Sequence, residues 1–350
     1  MKVSAVITTY NGEKYIESQI LSIINQTRAV DEIIIGDDAS SDKTVTIIKS
    51  CLKLCNTKSV LLENKVNTGL NKNMKNVLAH TTGDIIIFAD QDDLWHKDKV
   101  KRMVETFENN TDIQGLLTGF KCIDENGDII FNNSNKDDNV WLGNIPINGL
   151  TEISLESIVQ YNCGPGCTLA VKRGVVETYL RSESKLIHDW QCCIISAIIG
   201  KLFYLPDVLT FYRQGNNTIG FPLTSRMNEN INLFSKVKIL LCSAKYWFLD
   251  LKQETDNTGI VHISSKTLEL IASACQIQPE DRLTEYLKFE HDLTTALTTR
   301  NLFRYLNVRQ KYKNQVYNQM RVYSFWNRCD WTFQHLRIIF DKNFLKSNNS

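Results

Sequence analysis

No apolar run in this chain is long enough to span a bilayer. A spanning helix needs about 18 to 20 apolar residues, and the longest stretch, around Ile194 to Ile199, is under half that, so no membrane crossing is expected. Net charge is nearly absent too, with 40 Lys and Arg against 39 Asp and Glu, and no nucleic-acid partner is expected. The ten cysteines lack zinc-like spacing: Cys51/Cys55 and Cys163/Cys167 repeat a three-residue gap without a second ligand pair at an ordinary distance. No apolar leader precedes the strand pattern that follows Met1-Lys2. Buried free thiols in a reducing, cytoplasmic compartment are therefore predicted. A nucleotide-triphosphate or phosphoenzyme loop and internal repeats are also missing.

What is present is an ordinary globular composition, 43% hydrophobic and 23% charged, which argues against disorder. At 350 residues the chain has room for two domains, or for one large α/β domain with an appendage. The charge is unevenly spread: residues 1–225 carry 22 basic and 27 acidic side chains, and residues 226–350 carry 18 and 12. The basic, aromatic-containing end from Arg321 to Lys346 suits an anionic surface such as lipid headgroups. Leu233 to Leu251 is read as a helix packed on the rest of the chain or lying at an interface.

The first 120 residues alternate β-branched runs with amphipathic stretches, the pattern of βαβ units around a mostly parallel sheet. Strands are predicted at Val3 to Thr8, Glu32 to Gly36, Ser59 to Glu63 and Asp84 to Phe88, with helices at Glu13 to Asn25, Asp42 to Cys51 and Leu70 to Ala79. Further strands are expected at Leu116 to Lys121 and Ile129 to Phe131, and an apolar helix at Cys192 to Ile199. Helical periodicity dominates beyond Pro222, which places a boundary near 222–228.

In such sheets ligands sit beyond the carboxyl ends of the strands, and chemistry-bearing residues follow the predicted strands here. Asp90-Gln91-Asp92-Asp93 places three carboxylates within four residues directly after Ile85-Ile86-Ile87-Phe88. Carboxylates this close repel unless solvated or shared by a cation, and Mg²⁺ or Mn²⁺ takes one or two such oxygens together with phosphate oxygens. Asp37 and Asp38 suit the imide and hydroxyl donors of a nucleoside; the same stretch also reads as a helix start, capped by Ser40 or Ser41. Asn67-Thr68-Gly69 reads as a tight turn opening a helix whose free N–H groups face a ligand or serve the turn alone. Asp189, beside Trp190, is the candidate general base or an N-cap, with His188 second. Arg213 has the planar fork that neutralises diphosphate, or forms an ion pair.

As a set these residues resemble the inverting family 2 glycosyltransferases of GT-A fold, most closely a bacterial rhamnosyltransferase-like branch. The resemblance runs over roughly residues 3–220 through Ile7-Thr8-Thr9-Tyr10-Asn11-Gly12, Ile35 to Asp42, Asn67-Thr68-Gly69, Asp90 to Trp95, Gly166-Cys167, His188-Asp189-Trp190 and Tyr212-Arg213-Gln214. It implies a Rossmann-like sheet flanked by helices, with a catalytic domain over 1–225 (1–120 binding nucleotide-sugar, 121–225 holding the acceptor and base) and a helical region over 226–350. It further implies that Thr9, Tyr10, Asn11, Asp37, Asp38, Asn67, Gly69, Asp90 and Arg213 bind nucleotide. Asp90 and Asp92 would hold Mn²⁺ or Mg²⁺, Asp189 would be the catalytic base, and Trp95, Gly166, His188 and Trp190 would lie on the acceptor side. The implied donor is dTDP-rhamnose or a UDP-hexose, and the acceptor a glycan or lipid-linked hydroxyl in surface polysaccharide synthesis, with peripheral membrane contact. One departure stands out: Gly215 occupies the place where the branch carries a histidine after Tyr-Arg-Gln. A nucleotidyltransferase or a non-catalytic carbohydrate-binding relative are the competing readings.

Overall fold

The computed structural model describes residues 1–130, 148–160, 162–214, 265–276, 287–289, 291–293, 295–296, 299 and 301–312. The boundary at 222–228, Gly215, the stretch from Leu233 to Leu251 and the basic end from Arg321 lie outside them. Strands β1 (Val3–Thr9), β2 (Glu32–Asp37) and β4 (Ile85–Ala89) are buried throughout, as apolar runs covered on both faces must be. The edge strand β3 (Lys58–Glu63) is only half covered. Between them run α1 (Ile16–Ile24), α2 (Thr44–Lys53) and α3 (Leu70–Ala79).

Side chains alternate across the sheet with period two. Val6, Ile34, Ile86 and Phe88 point to the face covered by α3, whereas Ala5, Ile7, Ile33, Ile35, Ile85 and Ile87 point to the face covered by α1 and α2. Asn73 of α3 donates from Nδ2 to the Gly36 carbonyl at 2.7 Å. A Cβ at Gly36 would lie 2.4 Å from Val77 Cγ2, so the close approach of this helix requires glycine there. The N-cap position of α2 is Lys43, and Asp42 just before it accepts from Thr44 N at 3.0 Å; Ser40 and Ser41 face Asp37 and Asn11 instead.

Beyond β4 come β5 (Leu94–Trp95), α4 (Lys99–Asn109), β6 (Ile113–Ile123), β7 (Thr151–Ile153) and α5 (Leu155–Gln160). A 3₁₀ turn at Gly166–Thr168 leads to β8 (Leu169–Lys172), α6 (Arg173–Arg181), α7 (His188–Ile199) and β9 (Lys201–Arg213). The sheet order is β3-β2-β1-β4-β8-β6-β9-β5, with β7 also on β9. Pairing is parallel over β3-β2-β1-β4 and mixed beyond, because β8 enters antiparallel between β4 and β6. Of the strand expected at Ile129 to Phe131, Ile129 forms a bridge with Ile123, and Phe131 lies outside the described residues. The helix expected from Cys192 begins four residues earlier, with Ile187 in the N-cap position.

Two further helices, α8 (Ser265–Cys275) and α9 (Leu302–Lys311), complete the described elements. Leu268, Ile271, Phe289, Tyr305 and Val308 share one buried cluster with Cys192 and Ile195 of α7. These helical pieces thus cover the α7 face of the α/β unit.

Candidate active site

The loops at the carboxyl ends of the parallel strands are laced to one another. Gln91 accepts from Tyr10 N at 2.9 Å and donates back to the Tyr10 carbonyl at 3.2 Å. Asn11 N donates to Ser40 Oγ, and Ser41 N donates to Asn11 Oδ1, each at 2.9 Å. Asn11 and Ala39, one in each of these two loops, hold φ of 48° and 64°. Non-glycine residues pay strain in that region, and such strain concentrates at functional sites.

Asp37 and Asp38 are engaged within the protein. Asp37 Oδ1 accepts from Thr9 Oγ1 at 2.8 Å and Ser40 Oγ at 2.6 Å. Asp38 Oδ1 accepts from Thr68 N, Thr68 Oγ1 and Asn64 Nδ2, while Oδ2 accepts from Gly69 N at 2.8 Å. Burial alone would raise the Asp38 carboxyl, but these bonds outweigh it and hold it below the usual carboxylate range. Asp38 therefore shapes the turn through Asn67 and Gly69, where Gly69 has φ 87° and Asn67 Oδ1 accepts from Gly69 N at 3.1 Å. Tyr10, 49% exposed, is the open aromatic face of this rim.

The acidic cluster stands at the end of β4. Asp90 is half-buried and Asp93 fully buried; the carboxylate oxygens of these two and Cys167 Sγ lie within 4.8 Å of one another. Burial first, then the carboxylates of Asp93, Asp92 and Asp189, push Asp90 well above its ordinary range, with Lys99 opposing. Burial also raises Asp92, and burial with Asp92 brings Asp93 up to about 7. Asp93 Oδ2 is buried without a hydrogen bond. Such an uncompensated carboxylate group fits a hard divalent cation that shares its charge. Burial keeps the Cys167 thiol well above its usual pKa, so without a cation it is a neutral neighbour of the carboxylates.

Asp189 lies in the first turn of α7 and is 7% exposed. Its Oδ1 accepts from Trp190 N at 2.7 Å and its Oδ2 from Asn162 Nδ2 at 3.1 Å. Gly166 faces it: a Cβ there would lie 3.1 Å from Asp189 Oδ2. Asp189 and the acidic loop therefore share one electrostatic environment, seen in the effect of Asp189 on Asp90.

Arg213 is 4% exposed, and two of its three guanidinium nitrogens bind the protein. Nε donates to the Asp92 carbonyl at 2.7 Å, a terminal nitrogen donates to the Asp124 carbonyl at 2.6 Å, and the guanidinium sits 4.3 Å over the Tyr15 ring. Its backbone N donates to Asp93 Oδ1 at 2.8 Å. The arginine clasps the acidic loop from behind. His188 is buried, stacked on Phe88 at 5.8 Å, with Nδ1 unpartnered; burial lowers its pKa against the pull of Asp189. Trp95, expected on the acceptor side, packs in the core at 4% exposure beneath Lys99, because the pairing of β5 with β9 turns it inward. Trp190 is half-buried and donates to the Ile158 carbonyl.

The sequence reading gave no role to Gln91, Asn64, Asn162 or Lys99. Asn162 stands four residues before Gly166, and its pairing with Asp189 crosses 27 residues. Lys99 carries no motif at all.

Residues 4–168 match the family described as glycosyl transferase family 2. An uncharacterized glycosyltransferase of Nostoc sp. is 29% identical over 216 residues, 61% of this chain and 65% of that protein. The putative glycosyltransferase EpsE of Bacillus subtilis is 34% identical over 126 residues, 36% of this chain and 45% of its own length. The dTDP-rhamnosyl transferase RfbG of Shigella flexneri is 26% identical over 262 residues, 69% of this chain and 80% of that protein. Among solved structures, Staphylococcus aureus TarS 1–349 in complex with UDP-GlcNAc superposes with TM-score 0.54 at 16% identity, over 100% of this chain and 91% of that one. The fold is thus the GT-A arrangement that the sequence motifs led us to expect.

Proposed function

We propose that this chain transfers a sugar from a nucleotide-diphosphate donor to a hydroxyl of a glycan or lipid-linked acceptor, with inversion, using Mn²⁺ or Mg²⁺. The observation that carries this reading is the acidic group Asp90, Asp92 and Asp93 at the carboxyl end of β4, half-buried to buried, with Asp189 near enough to act on Asp90. Of the donors, dTDP-rhamnose is favoured by the similarity to the dTDP-rhamnosyl transferase RfbG over 69% of this chain, and a UDP-hexose is the second choice.

In this reading Tyr10, Asn11 and Asn67 line the nucleoside side, with Thr9, Asp37, Asp38 and Gly69 shaping the loops that hold it. Asp90 and Asp92 would hold the metal, with Asp93 beside Asp90, and the bound ion would supply Lewis-acid neutralisation of the diphosphate. Asp189 takes the proton from the acceptor hydroxyl; its oxygen forms the new bond to the anomeric carbon as the bond to the diphosphate oxygen breaks, and that oxygen keeps the electron pair. One displacement inverts the centre. Arg213 acts through Asp92 and Asp93 rather than on phosphate directly. Gly166 leaves open the face of Asp189 that an acceptor approaches, between His188 and Trp190.

No helix among the described residues is long and apolar enough to cross a membrane, and the basic end of the chain would provide the peripheral contact. Flotation with anionic liposomes tests that contact: recovery in the pellet fraction alone would remove it. The activity itself is tested by nucleoside diphosphate release from a panel of nucleotide sugars, with Mn²⁺, with Mg²⁺ and with EDTA. Metal-dependent release from one donor supports the reading; a nucleotide sugar that binds but never turns over with any acceptor contradicts it.

A further inference from the structure

Lys99 occupies a position that sequence rules disfavour twice. It is the first residue of α4, where a cation opposes the helix dipole, and it is fully buried, which lysine almost never is. Its ammonium donates to the Cys167 carbonyl at 2.6 Å and to Thr210 Oγ1 at 2.8 Å, and it lies 4.5 Å over the Trp95 ring. Thr210 Oγ1 in turn reaches the Cys167 carbonyl at 3.4 Å.

These partners belong to two sides of the site. Cys167 follows Gly166, the residue set against Asp189. Thr210 pairs with Trp95 and stands three residues before Arg213, which grips Asp92 and Asp93. We propose that Lys99 is a positioning residue, an internal clamp that fixes the turn at Gly166–Thr168, and with it the surface facing Asp189, relative to the acidic loop. The inference rests on the assignment of Asp189 as base and of the acidic loop as the donor side. It explains why two unfavourable features are tolerated at one residue: rules of this kind are broken where function depends on the exception.

The test compares wild type with Thr210→Val, Thr210→Ser and Lys99→Met. Thr210→Val removes one hydroxyl acceptor at nearly constant shape, and Thr210→Ser keeps it. Misplacing reacting groups by about 1 Å costs on the order of 100-fold. Thr210→Val is therefore expected to lower kcat by about tenfold, with the donor KM within about twofold and Thr210→Ser within about twofold of wild type in both. Lys99→Met should lower kcat further if it folds. Amide exchange over residues 162–168 and 90–93 should rise together in Thr210→Val and stay at the wild-type level in Thr210→Ser. Equal kcat in folded Thr210→Val and wild type, or exchange that rises at only one of the two segments, would overturn the clamp. An inactive wild type would instead strike at the proposed reaction, and the exchange measurement would still decide the clamp.

Discussion

Asn162 holds the carboxylate of Asp189 by a single 3.1 Å hydrogen bond from its side-chain nitrogen to Oδ2. The other oxygen is held by Trp190 N, so both the rotation of the carboxylate and the direction of its free lone pairs are set. Asn162→Ala should lower kcat by about tenfold while nucleotide affinity, measured by calorimetry, stays at the wild-type value. Asn162→Asp should be worse, because a second carboxylate beside Asp189 repels it. Equal loss of nucleotide affinity in both variants would move Asn162 to the donor side.

Gly166 is needed for the space it leaves. A methyl group there would sit 3.1 Å from both Cβ and Oδ2 of Asp189, tighter than ordinary van der Waals contact. Gly166→Ala should fold and bind nucleotide normally yet lose about tenfold in kcat. Wild-type turnover in this variant would show that no acceptor passes over that face.

Arg213 offers a test of the clasp on the acidic loop. Arg213→Lys keeps charge but loses the planar fork that reaches the Asp92 and Asp124 carbonyls together. A charge-assisted hydrogen bond is worth about 1.5 to 3 kcal/mol, so thermal stability should fall measurably and the metal concentration for half-maximal activity should rise. An unchanged metal requirement would separate Arg213 from the loop's chemistry.

Glu32 makes the fold sensitive to acid. It is fully buried at the amino ends of β1 and β2; burial alone would raise its pKa, but bonds from Ser4 and Thr82 and the nearby Lys2 bring it down to about 2. Its folded pKa lies below the unfolded value, so its stabilisation is complete above about pH 4.5 and is lost as pH falls toward 2. Glu32→Gln should be less stable than wild type at pH 7, by about 2 kcal/mol, and the gap should narrow on acidification in denaturant titrations. A gap that is constant with pH would assign the loss to packing alone.

How much of this was legible in the chain depends on range. The buried runs at Val3, Glu32 and Asp84 and the amphipathic stretch from Leu70 gave β1, β2, β4 and α3 nearly residue for residue, because apolar periodicity is local. Asp90 and Asp92 stood out as carboxylates crowded after a strand, Asp189 as a carboxylate beside tryptophan that also read as an N-cap, and Gly166 only through the family resemblance. Long-range pairings left no local trace: Asp38 with Asn64 and Thr68, Arg213 with the Asp92 carbonyl, Lys99 with Cys167. Lys99 was invisible for a further reason, since a lysine at a helix start reads as solvent-exposed. The phosphate role expected for Arg213 and the acceptor-side place expected for Trp95 took both side chains as open, whereas Arg213, at the end of β9, and Trp95, paired with β9, are each 4% exposed.

The central claim is that one buried environment joins a metal-dependent donor site to the base Asp189. The most direct measurement follows nucleoside diphosphate release by wild type, Asp92→Ala and Asp189→Asn with the active donor and Mn²⁺ or Mg²⁺, alongside nucleotide binding by calorimetry. The account predicts that Asp189→Asn binds the nucleotide as wild type does but does not turn over, whereas Asp92→Ala loses the metal dependence of binding and its turnover. Turnover by Asp189→Asn at the wild-type rate would contradict it.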